Sequence, residues 1–102
     1  MSAEAWVFED VYKAPGLSVR VWVRYTGPGW EDSNDPPSTC LGDVPPEHLD
    51  IWNFLGLPAD GDPHADWDTL QDRAQQFVRG NERSIIEDLR ASRSPTQWYW
   101  DT

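Results

Sequence analysis

The sequence predicts an α+β fold: an N-terminal antiparallel β-hairpin, extendable by a C-terminal third strand, packed against two or three helices. Three observations predict it. Residues 17–25 alternate, with Leu17, Val19, Val21, Val23 and Tyr25 on one side and Ser18, Arg20, Trp22 and Arg24 on the other. The second half of the chain spaces its apolar residues three and four apart, the period of a half-buried helix. The run Gln97, Trp98, Tyr99, Trp100 has high strand propensity. At 102 residues the chain is expected to be one domain. Only 38% of residues are hydrophobic, but seven Trp, three Tyr and three Phe offer large buried area each. Disordered acidic chains lack such aromatics, so a folded core is expected.

The elements follow in order. Residues 5–12 are β-branched and aromatic and form the first strand, and Lys13, Ala14, Pro15 and Gly16 signal a turn into the second. Trp22 on the arginine side calls for either a layer over that face or an exposed indole. Residues 27–46 hold Pro28, Gly29, Pro36, Pro37, Gly42, Pro45 and Pro46, which block regular structure. A connection that long is uncommon in a compact domain and often functional, and Trp30 within it either anchors it or points outward.

A short helix is expected over 46–55, with proline in its first turn and a stripe of His48 or Leu49, Ile51, Trp52 and Leu55 ended by Gly56. After a loop over 58–65, Asp66 caps a second helix, with Asp68 favourably placed in its first turn. Its inner face is Trp67, Leu70, Ala74, Phe77 and Val78. Gly80 and Asn81 mark a break or a kink, and Asn81 can cap a third helix with inner face Ile85, Ile86 and Leu89, ending near Arg93. Burial or an edge strand is the default for Trp98, Tyr99 and Trp100; an exposed interface anchor is the alternative.

Charge is the main functional clue. Residues 27–72 carry eleven carboxylates and no lysine or arginine: Glu31, Asp32, Asp35, Asp43, Glu47, Asp50, Asp60, Asp62, Asp66, Asp68 and Asp72. The flanking segments are close to neutral, so almost all of the formal net charge of −10 falls in the middle. A one-sign field confined to part of a small protein attracts cationic partners and repels nucleic acid and anionic membrane. Asp68 and Asp72, one helical turn apart, would stand about 5–6 Å apart at Cβ, a length scale close to that of phosphates along a strand. Asp43, Glu47 and Asp50 would line a second row.

Other chemistries are poorly served. One cysteine, Cys40, allows no intrachain disulfide, and no basic residue near it in sequence lowers its pKa. Together with the lack of a secretory pattern and of a membrane-length apolar run, this leads to the expectation of a cytoplasmic protein. Asp60, Asp62, Asp66 and Asp68 surround His64, but an EF-hand needs glycine sixth and glutamate twelfth. Counting from Asp60 gives Ala65 and Gln71; counting from Asp62 gives Trp67 and Arg73. Two scattered histidines, His48 and His64, support no zinc site, and no phosphate-binding glycine loop or catalytic dyad has an orienting motif. Arg73, Arg79, Arg83, Arg90 and Arg93 are interleaved with Glu82, Glu87 and Asp88, with Arg83 and Glu87 at pairing distance in sequence. They read as a solvated helix surface.

The expectation is therefore a non-enzymatic protein, without cofactor or metal, that binds and blocks the basic surface of a nucleic-acid-handling partner and touches neither nucleic acid nor membrane itself. Its partner-binding residues are expected to be Trp30, Glu31, Asp32, Asp35, Asp43, Glu47, Asp50, Asp68 and Asp72. Small acidic inhibitors of phage counter-defence or toxin immunity share this physics. The alternative is a structural or adaptor subunit that packs through its aromatics, Trp98 and Trp100 foremost, and uses the charge for solubility.

Overall fold

The computed structural model describes residues 4–38, 40–59, 65–92 and 98–101. They form β1 (Ala5–Ala14), β2 (Leu17–Tyr25), two 3-10 turns (Leu41–Asp43 and Pro46–His48), β3 (Leu49–Pro58), the helix α1 (Trp67–Ser92) and β4 (Tyr99–Asp101). The strands make one antiparallel sheet in the order β3-β2-β1-β4, and α1 lies across one face. The α+β class holds. The hairpin is the centre of a larger sheet, and one long helix stands where two or three were expected.

β1 and β2 pair from Ala14↔Leu17 outward, so Pro15 and Gly16 alone reverse the chain. Gly16 has φ +69°, the left-handed value that the second central residue of a type II turn requires, beside a proline whose ring sets the first. The alternation of β2 is realised: Leu17, Val19, Val21 and Val23 are buried under α1. Near the hairpin turn, Leu17, Val19 and Val21 pack with Leu70, Ala74 and Val78. At the far end, Phe8, Val23, Leu41, Val44 and Leu49 pack with Ile85, Ile86 and Leu89.

Residues 49–55, expected to be helical, are strand; only Pro46–His48 winds, as a single 3-10 turn. Leu49 and Ile51 meet the core, a bulge opposite Trp22/Val23 shifts the register, and Phe54 then continues on the core side. A ten-residue apolar segment carries both periods, and what decides is the free edge of β2, whose backbone groups need partners. Gly56, expected to stop a helix, instead lets α1 approach: a Cβ there would lie 2.5 Å from Leu70 O and 2.9 Å from Ala74 Cβ.

The break expected at Gly80 and Asn81 does not occur. Leu70, Ala74, Val78, Ile85 and Leu89 fall on one continuous stripe, so a single helix buries them all. That burial outweighs the roughly 1 kcal/mol cost of an internal glycine. Asn81 turns its amide back onto Phe77 O at 2.8 Å and does not cap. Trp67, expected on the inner face, is exposed in the first helical turn.

The other face of the sheet carries Glu9, Val11 and Lys13 of β1, Ser18, Arg20, Trp22 and Arg24 of β2, and Asp50, Asn53 and Leu55 of β3. Among the described residues no helix covers it. Trp22 is half-buried there by its neighbours alone and donates to Glu9 Oε2 at 2.8 Å. β4 adds the expected C-terminal strand through Ala5↔Asp101, Trp6↔Trp100 and Val7↔Tyr99. The predicted residues Asp60, Asp62, His64, Arg93 and Gln97 lie outside the described residues.

Candidate functional site

The loop after β2 is held by aromatic side chains. Tyr25 Oη donates to Pro28 O at 3.2 Å, Trp6 Nε1 to Asp32 O at 2.9 Å and Trp98 Nε1 to Ser38 O at 3.2 Å. Successive turns from Trp30 N to Gly27 O, Asp32 N to Gly29 O and Asp35 N to Asp32 O close the loop on itself. Asp32 Oδ1 accepts from Asn34 N at 2.9 Å. Gly29, at φ +79°, supplies the left-handed residue of this turn series. The tryptophans that do this pinning are themselves packed: Trp6 lies edge-on to Trp100 at 5.5 Å, and Trp98 to Phe8 at 6.2 Å and Tyr25 at 6.1 Å.

The two 3-10 turns sit at the same end. Gly27 packs against Tyr25 and His48, whose rings stand edge-on at 6.1 Å. Thr26 N donates to His48 O at 2.8 Å. From the last turn of α1, Arg90 donates through Nε to Val44 O at 2.7 Å and through Nη2 to Gly42 O at 3.2 Å. Backbone carbonyls thus absorb the cation, and the neighbouring carboxylates of Asp43 and Glu47 are left facing solvent.

The nine expected partner-binding residues do not form one patch. Glu31, Asp32, Asp35, Asp43 and Glu47 are exposed and share the end of the sheet where β2 runs out. Among the described residues none of the five is ion-paired to a lysine or arginine. Trp30 is 44% exposed and walls a cleft of about 390 Å³ with Glu4, Ala5, Arg24 and Glu31. Asp50 does not lie on a helix beside Glu47; it sits on the helix-free sheet face, bonded to Arg24 Nη2 at 2.9 Å. Asp68 and Asp72 stand at the opposite end, in the first turns of a 26-residue helix about 39 Å long.

Asp66 caps that helix. Its carboxylate accepts from Thr69 Oγ1 at 2.6 Å, which holds its pKa below the ordinary aspartate value, with backbone N–H groups of Thr69 and Asp68 adding and desolvation opposing. Tyr99, beside Trp22 on the helix-free face, has its pKa raised by burial and then by the charges of Glu9 and Asp101, with its Trp22 contact opposing. The ion pair foreseen between Arg83 and Glu87 is absent among the described residues; Glu87 lies 3.9 Å from Arg90 instead. Among the described residues no group of three or more His, Cys, Asp and Glu is placed to hold a metal ion, and no helix is long and apolar enough to cross a membrane.

The pins Trp6, Tyr25 and Trp98 were not legible in the sequence, because an indole or phenol that reaches a distant carbonyl has no local signature. Compared with known proteins, the chain matches no family model, no curated protein and no solved structure.

Proposed function

We propose that this protein is a non-enzymatic blocker whose acidic end occupies the cationic surface of a nucleic-acid-handling protein, in a setting of the counter-defence or toxin-immunity kind. The observation that carries this reading is the set Glu31, Asp32, Asp35, Asp43 and Glu47: five exposed carboxylates with no ion pair among the described residues, on backbone held by Trp6, Tyr25, Trp98 and Arg90. A pinned array keeps its charges in place on binding and gives up little conformational entropy. Asp68 and Asp72 add to the long-range field that speeds encounter, while Asp50 is already neutralised by Arg24.

The test is capture of basic nucleic-acid-binding proteins from the source cell at low and high salt. Replacing Glu31, Asp35, Asp43 and Glu47 with Gln or Asn should weaken capture at least about tenfold and flatten its salt dependence. Asp32 is left in place because its side chain orders Asn34. Replacing Asp68 and Asp72 should mainly slow association. Unchanged capture by the quadruple variant, or micromolar binding of random DNA or RNA by the parent, would remove this reading.

A further inference from the structure

We infer that the cleft beside Trp30 holds an arginine side chain of the basic protein that meets the acidic end. The partner rests on the proposed function; the occupant rests on the cleft's own geometry. The cleft, about 390 Å³, lies between the start of β1 and the loop after β2, with Glu4 and Ala5 on one side and Trp30 and Glu31 on the other. Arg24 lines it as well, and a smaller hollow of about 250 Å³ between Arg24, Thr26 and Trp30 adjoins it.

Trp30 is not spent on the fold. Trp6, Trp22 and Trp98 donate their indole N–H groups to Asp32 O, Glu9 Oε2 and Ser38 O. The indole of Trp30 makes no hydrogen bond among the described residues and is 44% exposed. Its backbone is fixed all the same, by its own N–H on Gly27 O at 3.2 Å and by the turn that Trp6 holds through Asp32 O. A large ring held in place by its backbone, with an open face and an unused donor, has the properties of an interface anchor.

Charge selects the occupant. Arg24 is met by Asp50 at 2.9 Å, whereas Glu4 and Glu31 are exposed and have no ion pair among the described residues. The two carboxylates therefore set the sign of the cleft. They repel an anion, and an apolar side chain would desolvate them without replacing their water. A cation gains from both carboxylates and from the negative face of the indole. Arginine fits better than lysine, because its planar guanidinium stacks on the ring while its forked donors reach carboxylates at the ring's edge.

The test titrates the intact, isotope-labelled protein with hexa-arginine and hexa-lysine peptides at about 150 mM salt. Hexa-arginine should move the Trp30 indole signal and the Glu31 amide, and should bind at least about threefold more tightly than hexa-lysine. Trp30→Ala should weaken hexa-arginine at least about tenfold and leave the salt dependence unchanged, since no charge is altered; Trp30→Phe should fall between. Trp67→Ala is the control: Trp67 is also exposed and stands between Asp66 and Asp68, at the other end of the molecule, and its loss should change binding little. Equal affinity for the two peptides, an unmoved Trp30 indole in the parent, or equal losses from Trp30→Ala and Trp67→Ala would each overturn the inference. The proposed function fails separately. Capture of basic proteins that depends on Glu31, Asp35, Asp43 and Glu47 but not on Trp30 removes the arginine cleft and leaves the blocker. Hexa-arginine bound at Trp30 by a chain that captures no basic protein removes the blocker and leaves the cleft.

Discussion

The side-chain amide of Gln71 on α1 closes onto the backbone of Gly56 in β3. Gly56 N donates to Gln71 Oε1 at 2.9 Å, and Gln71 Nε2 donates to Gly56 O at 2.7 Å. β3 is an edge strand, and the glutamine takes the place a neighbouring strand would have. Along the same strand, Phe54 N is bonded by Asn53 Oδ1 at 2.9 Å, and Pro58 has no N–H to offer. From Phe54 to Pro58 this edge therefore offers little to strand addition.

Gln71→Leu should remove both bonds while keeping the side chain's bulk. It should cost about 1–3 kcal/mol in urea denaturation, because it strands a donor and an acceptor of Gly56. Gln71→Glu keeps the acceptor and loses the donor, so it should fall between parent and Gln71→Leu. Equal stability of all three would mean that water replaces the amide without loss.

Two glycines should respond oppositely to alanine. At Gly56 the new Cβ meets the α1 backbone at Leu70 O, 2.5 Å away, and a helix cannot yield as a side chain tip can; a loss of roughly 1–3 kcal/mol is expected. At Gly80 nothing lies within 4 Å, and the residue is inside a helix. Gly80→Ala should therefore stabilise by about 0.5–1 kcal/mol. A stabilised Gly56→Ala would show that α1 does not press on β3 there.

Val21 is fully buried between the sheet and α1. Val21→Ala should destabilise by about 1–3 kcal/mol through lost burial and an unfilled cavity, again read by urea denaturation. No change would mean that this face of β2 is not the core.

Asp66→Ala should lower the melting temperature at neutral pH. The folded state holds this carboxyl below its ordinary pKa through the Thr69 hydroxyl, so its stabilisation is present above the unfolded-state value. It is lost as pH falls through the depressed folded value. Parent and variant should converge in acid, on the low side of the ordinary aspartate range, and a gap that persists there would assign the effect to something other than the carboxylate.

Some of this protein is written locally in its residues. The strict alternation of residues 17–25 can bury only one face, so β2 and its inward set Leu17, Val19, Val21 and Val23 follow from period alone. The turn at Pro15 and Gly16 and the cap at Asp66 need only their own backbone geometry, and composition alone concentrates the acid in residues 27–72. Where a pattern fits two structures, or where partners are distant, tertiary contact decided. Residues 49–58 carry both periods and became strand because β2 had an open edge to fill; α1 ran through Gly80 because its two stripes share one phase on one sheet face. The acidic residues were divided between two ends of the molecule, and Asp50 was drawn to Arg24, by a path that Trp6, Tyr25, Trp98 and Arg90 hold from 26 to 60 residues away or from a neighbouring turn. Hydrogen bonds to backbone carbonyls depend on which carbonyl arrives, and only the folded chain brings it there.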